Sequence, residues 1–259
     1  MAGIAHADYI AGLAKGLAVL ESFDTERQRL GVSVAAQRTG LTRAAARRYL
    51  LTLAYLGYLE TDGRHFWLSA RVLRLSGAYL ASARLPRVVQ PTLNRLAGEA
   101  PDVFSAAVLD ADEVVIVARA GGDTATSRLL AYGIHLGARL SAHATSTGRV
   151  LLAALPRAEL TAWLQRRGEL PRLTPRTITE RRAFKALLAQ VRTQDFCLAA
   201  DEHELGVHAV AVPLRDSRGQ TVAALNQIVQ QGRLNNPRTL ASALERLRHA
   251  ASELRQMLG

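Results

Sequence analysis

The chain has 259 residues, 49% of them hydrophobic, and a formal net charge of +11. This length accommodates two domains, and this apolar fraction excludes a globally disordered chain. No apolar run reaches the ~18 residues of a membrane-spanning helix, the first residues lack the pattern of a signal peptide, and one cysteine cannot form an internal disulfide. We therefore predict a cytoplasmic protein with no membrane partner.

The basic residues are almost all arginines. Lys15 and Lys185 are the only lysines among 33 basic residues, a bias that we attribute mostly to genome composition. Their position is more informative, because seven arginines and only two acidic residues lie between residues 38 and 74. This segment is a candidate nucleic-acid surface.

Helical periodicity begins near the N-terminus. A first helix is predicted from the helical spacing of the apolar residues Ile10, Leu13, Leu17, Leu20 and Phe23. A short second helix is predicted in the stretch VSVAAQRTG, residues 32–40, and Gly40 ends it.

A third helix is predicted to start after Thr42, a good N-cap, and to run to about residue 56. Its buried side is expected to comprise Ala45, Tyr49, Leu50, Leu53 and Leu56. Arg43, Arg47 and Arg48 lie in its first turns on the other faces. Two helices joined by a short turn, with arginines at the start of the second, are typical of a helix-turn-helix.

The following stretch, YLETDGRHFWL, predicts a hairpin with Asp62 and Gly63 in its turn. A hairpin directly after a recognition helix is a wing, whose Arg64 can reach a phosphate or the minor groove. A solvated helix face and a purely structural ribbon are the alternatives. We favour DNA binding, and the candidate DNA-contacting residues are Thr42, Arg43, Arg47, Arg48, Tyr49 and Arg64.

A linker helix is predicted next, with an apolar stripe formed by Val72, Leu73, Leu75, Leu80 and Leu85. It ends at Pro86, which the next helix can use in its first turn. The stripe either pairs with a second chain or packs on its own domain. The predicted limits are a winged helix-turn-helix domain over 1–69, a linker helix over 70–85 and an effector-binding and oligomerisation domain over 86–259.

The second domain mixes strands and helices. Strands are predicted at 103–110, 113–120, 128–137, 196–200, 206–216 and 220–229, and helices at about 146–155, 157–168, 180–193 and 237–258. Hairpin-linked strands with helices grouped to one side predict an α+β domain on an antiparallel sheet.

The stretch AHATSTGRVLLAAL, residues 142–155, places a histidine and three hydroxyl groups before a predicted helix. A helix N-terminus with unpaired N–H groups is a ready anion site, and hydroxyl groups add donors. We therefore predict the capture of a carboxylate, with ordinary N-capping by Thr145 or Ser146 as the alternative. The candidate residues are Thr145, Ser146 and Thr147, together with His143, Arg128 and Arg139 for a charge-assisted contact.

Catalysis is the less favoured interpretation. No G-x-S-x-G elbow surrounds Ser146, and TSTGR lacks the spacing of a phosphate loop. A polar turn between strands explains Glu202, His203, Glu204 and His208 better than a zinc site does, because their spacing fits no standard template. The sequence predicts no catalytic residue, no metal site and no cofactor.

These features resemble the IclR family of bacterial transcriptional regulators over nearly the whole chain. The resemblance rests on the winged helix-turn-helix, the linker helix and two signatures, LGARLSAHATSTGRVLLAALP and DEHELGVHAVAVPLRDSRGQTVAAL. Within the family, YGIHLGARLSAHATSTGRVLLA and CLAADEHELGVHAVAVPL are most similar to the β-ketoadipate-pathway subgroup, which responds to aromatic acids such as protocatechuate or 4-hydroxybenzoate, or to pathway acids. Ser141 departs from the proline usual in this loop.

The resemblance implies a GAF/PAS-like effector domain and a homodimer, or a dimer of dimers, on a partly palindromic double-stranded operator. It also implies a pocket for a small aromatic or dicarboxylic acid, formed by Ser146, Thr147, Ala199, Ala209, Asn226 and Ile228. The expected function is ligand-responsive regulation of an aromatic-acid catabolic operon. The alternatives are a regulator of a different small acid and a constitutive DNA-binding repressor whose second domain only oligomerises.

Overall fold

The computed structural model describes residues 5–24, 27–121, 135–229 and 231–259. The chain divides into two compact units, Met1–Tyr79 and Leu80–Gly259. The break between them falls within the segment predicted as a linker helix. Among the described residues, no helix has the length and apolarity to cross a bilayer.

The first unit is a winged helix-turn-helix, as predicted. Its helices are α1 (Ala11–Leu20), α2 (Val32–Thr39) and α3 (Arg43–Tyr55), and its strands are β1 (Leu30–Gly31), β2 (Leu59–Thr61) and β3 (His65–Leu68). Gly40 ends α2 in the left-handed conformation, and the Thr42 hydroxyl caps α3 by accepting from Ala45 N at 3.2 Å. The sheet order is β1-β3-β2, so the wing has an additional short strand that the sequence did not predict.

The predicted first helix forms, but only part of its apolar stripe lies in the core. Ile10, Leu13 and Leu17 are exposed, whereas Val19 and Phe23 are buried. The helix approaches α3 through its small residues, because a side chain added at Gly12 or Gly16 would lie 3.8 Å from Tyr49. The large residues therefore point away from the core. The prediction for α3 fails only at Leu56, which is exposed.

The linker region forms two helices. α4 (Leu73–Ser82) follows a short 3₁₀ turn and buries none of its side chains, and α5 (Arg84–Glu99) has Pro86 in its first turn, as predicted. Leu73 and Leu75, which belong to the predicted stripe, are both exposed.

The second unit is built on a six-stranded antiparallel sheet in the order β6-β5-β4-β9-β8-β7. The strands are β4 (Val103–Asp110), β5 (Glu113–Ala120), β6 (Arg139–Ser141), β7 (Cys197–Ala200), β8 (His208–Arg215) and β9 (Thr221–Val229). Five of them overlap predicted strands. For the predicted strand at 128–137, residues 128–134 lie outside the described residues. The described part of this predicted strand, residues 135–137, contains a turn in which Gly137 has a φ of 82°. Strand β6 follows this turn.

Helices cover both faces of this sheet, which corrects the prediction that they lie on one side. α6 (Ser146–Ala154), α7 (Arg157–Arg167) and α8 (Arg181–Gln194) pack on one face, and α5 and α9 (Pro237–Met257) pack on the other. The reason is that the residues of β4 and β8 that face α5 and α9 are also apolar. They include Phe104, Ala106, Val210 and Val212. A sheet that is apolar on both faces needs cover on both.

Candidate functional site

A cavity lies in the second unit between the N-terminus of α6, one face of the sheet and the loop after β7. Its volume of about 50 Å³ is several times the roughly 10–15 Å³ that one water needs, so it suits a small ligand. The described residues that line it are Ser105, Ile116, Leu140, Ala144, Thr145, Ser146, Thr147, Ala199, Glu202, His203, Glu204, Val207, Ala209, Asn226 and Ile228.

The floor of the cavity is mainly apolar. Ala199, Ala209 and Ile228 lie side by side across β7, β8 and β9, because their Cα atoms are register partners. The two alanines leave a shallow depression where larger side chains would fill the space. An apolar floor of this kind accepts a hydrocarbon ring.

The N-terminus of α6 supplies the polar wall. Thr145 is the N-cap, and its hydroxyl accepts from Gly148 N and donates to Ser141 O, both at 3.2 Å. Ser146 is buried, yet its Oγ has no hydrogen-bond partner among the described residues. The helix N-terminus also carries partial positive charge. A buried, unpartnered hydroxyl at this position favours an anionic ligand.

Gly148 explains how the helix reaches this position. A Cβ at Gly148 would lie 2.1 Å from the carbonyl oxygen of Ala142, which is closer than any real contact. Only glycine therefore allows α6 to start directly against the turn at 142–144. Nothing in the local sequence distinguishes this glycine from any other.

A buried ion pair supports the same wall. Arg149 donates to Glu202 with both terminal nitrogens, and the Nη1 to Oε1 distance is 2.5 Å. Arg149 Nε also donates to His143 O at 2.8 Å, and the Ile178 amide donates to Glu202 Oε2 at 3.1 Å. The negative charge of Glu202 is thus balanced by the positive charge of Arg149, although Glu202 borders the cavity. The pair ties α6 to the loop after β7.

The loop after β7 contributes residues that the sequence analysis set aside as a polar turn. Glu202, His203 and Glu204 all line the cavity, and burial lowers the pKa of His203. Asp201 holds the loop by accepting from Gly206 N at 2.7 Å, a bond that lowers its pKa, and by contacting His208 at 3.2 Å. Ser105 is a further residue that was missed, because nothing in its local sequence marks it as polar lining.

Six of the predicted effector residues come together in this cavity: Ser146, Thr147, Ala199, Ala209, Asn226 and Ile228. His143 does not line it. Its ring is buried between Ser141 Oγ at 2.8 Å and Pro171 O at 2.9 Å, and burial lowers its pKa. Arg139 lies outside it as well, in exposed ion pairs with Asp110 and Glu113. Arg128 lies outside the described residues.

The predicted DNA-contacting residues lie on α3 and the wing. Thr42, Arg43, Arg47, Arg48 and Arg64 are exposed, and Arg64 is at the hairpin tip, where Asp62 accepts from its amide at 2.9 Å. The backbone amides of His65 and Arg64 both donate to Asp62, and these hydrogen bonds lower its pKa. Tyr49 is half-buried against the glycines of α1.

Ser146 and His143 do not form a nucleophile–base pair, because the His143 nitrogens contact Ser141 and Pro171. Within the described ranges, no group of three His, Cys, Asp or Glu residues could hold a metal ion. Burial raises the pKa of the Cys197 thiol to about 11, which makes it unreactive at neutral pH.

Comparison with known proteins assigns both units. Residues 12–63 match the family described as "IclR helix-turn-helix domain", and residues 77–256 match "Bacterial transcriptional regulator IclR C-terminal". The chain is 51% identical over 252 residues to the p-hydroxybenzoate hydroxylase transcriptional activator of Acinetobacter baylyi, covering 97% of this chain and 93% of the relative. It is 46% identical over 255 residues to the Pca operon regulatory protein of the same organism, covering 98% and 91%.

A solved structure is similar to the second unit. It is an inducer-binding domain of a PobR transcription factor double mutant from Acinetobacter, in complex with 3-hydroxybenzoic acid. The identity is 45% and the TM-score 0.60, covering 66% of this chain and 98% of that chain. The relatives are regulators, which confirms the prediction that the chain is not an enzyme. With matches that cover most of both units, this chain belongs to the IclR family of bacterial transcriptional regulators.

Proposed function

We propose that the chain regulates an aromatic-acid catabolic operon by binding a small aromatic carboxylate in the cavity of its second unit. The observation that carries this proposal is the buried Ser146 hydroxyl, which lines the cavity at the start of α6 and has no partner in the part of the chain that the structure describes. A carboxylate at this point would accept from Ser146 Oγ and from the free N–H groups of the first helical turn. Charge-assisted hydrogen bonds of this kind contribute about 1.5–3 kcal/mol.

The apolar floor supports a ring as the remainder of the ligand. Ala199, Ala209 and Ile228 offer hydrocarbon surface and no charge. The names of two relatives, a p-hydroxybenzoate hydroxylase activator and a Pca operon regulator, point to the same chemistry, as does the inducer-binding domain solved with 3-hydroxybenzoic acid. The proposed site consists of Ser146, Thr147, Ala199, Ala209, Asn226 and Ile228, and it omits Arg139 and His143, whose polar groups already have partners elsewhere.

The first unit is the DNA-binding unit of the protein. In our proposal, α3 enters the major groove with Arg43, Arg47 and Arg48 towards bases and phosphates, and Arg64 on the wing contacts the backbone or the minor groove. We also propose a cytoplasmic location, because the protein must reach operator DNA. We also propose that it binds as a homodimer or a dimer of dimers, with the exposed leucines of α4 as one contact between copies.

Ligand-dependent thermal stabilisation tests the proposal. The purified full chain is heated with 4-hydroxybenzoate, 3-hydroxybenzoate or protocatechuate, beside Ser146→Ala and the exposed control Ser217→Ala. A ligand at 100 Kd stabilises the folded state by about 2.7 kcal/mol, so we expect a saturable rise in Tm for at least one acid. Ser146→Ala should need at least fivefold more ligand, and Ser217→Ala should match the wild type. No shift with any aromatic acid would refute the proposed effector class.

A further inference from the structure

Two polar side chains meet on the otherwise apolar floor of the cavity. Ser105 on β4 lies opposite Asn226 on β9 in the antiparallel register, and both are buried. Ser105 Oγ donates to Asn226 Oδ1 at 2.5 Å. The Ser105 oxygen can still accept and the Asn226 amide nitrogen can still donate, and neither has another partner among the described residues. A buried donor or acceptor that lacks a hydrogen-bond partner lowers the stability of the fold unless a further group, such as a ligand, bonds to it.

We propose that this pair binds a hydroxyl group on the ring of the effector, which narrows the effector class to hydroxylated aromatic monocarboxylates. The inference rests on the proposed function, because it takes the acid group to lie at the N-terminus of α6. A hydroxyl group donates one hydrogen bond and accepts another, so it satisfies Ser105 Oγ and Asn226 Nδ2 together. If the Asn226 amide is turned over, its Nδ2 donates to Ser105 Oγ. The Ser105 hydroxyl then donates to the ligand hydroxyl and Asn226 Oδ1 accepts from it, so the ligand hydroxyl still satisfies both groups.

The same pair disfavours a second carboxylate. An ionised carboxylate only accepts, so it leaves the acceptor of the pair without a partner. Of the described residues that line the cavity, none is Arg or Lys, whereas Glu202 and Glu204 are acidic. The buried guanidinium of Arg149 is already bound by Glu202. A dicarboxylate would therefore bring an uncompensated buried charge, which is strongly unfavourable.

The position of the hydroxyl on the ring also follows. Ser146 belongs to α6 and the Ser105–Asn226 pair belongs to the sheet that α6 covers, so we infer that the two polar groups of the ligand are not adjacent on the ring. A hydroxyl next to the carboxylate, as in salicylate, bonds to its own carboxylate instead. We expect meta or para hydroxybenzoates to bind and salicylate to behave like benzoate.

Titration calorimetry of the full chain at pH 7.5 tests this inference. The ligands are 4-hydroxybenzoate, 3-hydroxybenzoate, salicylate, benzoate and the dicarboxylate adipate, and the variants are Ser105→Ala, Asn226→Leu and Ser146→Ala. In the wild type, the better hydroxybenzoate should bind at least tenfold more tightly than benzoate, salicylate or adipate. In Ser105→Ala and Asn226→Leu, the ratio of hydroxybenzoate affinity to benzoate affinity should fall below about threefold. Ser146→Ala should weaken benzoate and hydroxybenzoate by the same factor.

The outcomes separate the two proposals. The inference is overturned if the hydroxybenzoate advantage persists in both floor variants, if benzoate or adipate binds the wild type as tightly, or if both floor variants weaken benzoate and hydroxybenzoate equally. The last result would show a purely structural role for the pair. Failure of every aromatic acid to bind the wild type would instead refute the proposed function itself.

Discussion

Arg149 and Glu202, which are 53 residues apart in sequence, form a bidentate ion pair in the wall of the cavity. The Arg149 side chain is 1% exposed, and that of Glu202 is 11% exposed. The pair connects the helix whose N-terminus borders the cavity to the loop that closes the cavity's other side. The shape of the site therefore depends on a contact that takes no part in our proposed ligand binding.

Removing one member of this pair should be costly. Arg149→Met leaves the Glu202 carboxylate buried without its partner, and we expect a loss of about 3–5 kcal/mol in the free energy of unfolding. The double variant Arg149→Met with Glu202→Leu should recover most of that loss, because it buries no charge. Chemical denaturation measures both. Equal stability of the wild type and the single variant would show that the pair is not a structural support.

A methyl group at Gly148 should destabilise the second unit. Gly148→Ala forces Cβ against the Ala142 carbonyl, so α6 or the turn at 142–144 must move, and we expect a loss of about 1–3 kcal/mol. The matched control is Gly98→Ala in α5, where nothing lies within 4 Å of the added Cβ. That variant should be neutral or stabilising by up to about 1 kcal/mol. A Gly148→Ala protein as stable as Gly98→Ala would contradict the tight approach of α6.

Stability should fall below neutral pH, partly because of His143. Burial lowers its pKa against opposing contributions from the Pro171 carbonyl and Glu202, while Arg167 and Arg149 lower it further. Below its ordinary value near 6.5, the unfolded chain takes up a proton that folded His143 resists, so unfolding is favoured as pH falls.

Denaturation midpoints between pH 7.5 and 5.5 check this dependence. His143→Gln should lose less stability over that range than the wild type. An unchanged slope in His143→Gln would remove His143 as the source.

Operator binding should depend on the arginines of α3. Arg47→Ala is expected to weaken operator affinity at least tenfold, whereas Arg157→Ala, on an exposed position of α7, should stay within about twofold. Anisotropy titrations at several salt concentrations show what the side chain contacts. A phosphate contact lowers the salt slope by about 0.9, and a base contact reduces the preference for operator over random DNA. Unchanged affinity in Arg47→Ala would rule out this face of α3.

Features that depend only on neighbouring residues in the sequence were predictable. Thr42 before a helical stripe and Asp62-Gly63 between apolar runs are short-range signals, and each forms the predicted cap or turn. The predicted helix after Ser146 also forms. Features that depend on packing were not predictable. Leu13 belongs to the apolar stripe of α1 yet is exposed, because α1 approaches α3 through Gly12 and Gly16.

The same limit applies to the cavity. His143 stands three residues before Ser146, yet its ring turns towards Pro171, a contact that no sequence period encodes. Ser105 and His203 reach the cavity only because strand order and the loop after β7 bring them there, 41 and 57 residues from Ser146 in sequence. The family resemblance identified six lining residues, and the fold adds the polar partners around them.

The most direct test of an effector-responsive regulator is operator affinity with and without ligand. The operator is selected by the protein from a random-sequence DNA library, and its Kd is measured at increasing 4-hydroxybenzoate and 3-hydroxybenzoate. Coupling between two sites typically amounts to about 1–3 kcal/mol, so saturating ligand should change the wild-type Kd by about 5- to 150-fold. The same ligand concentration should leave Ser146→Ala nearly unchanged. An identical operator Kd with and without saturating ligand in the wild type would contradict the account and favour a constitutive DNA-binding repressor.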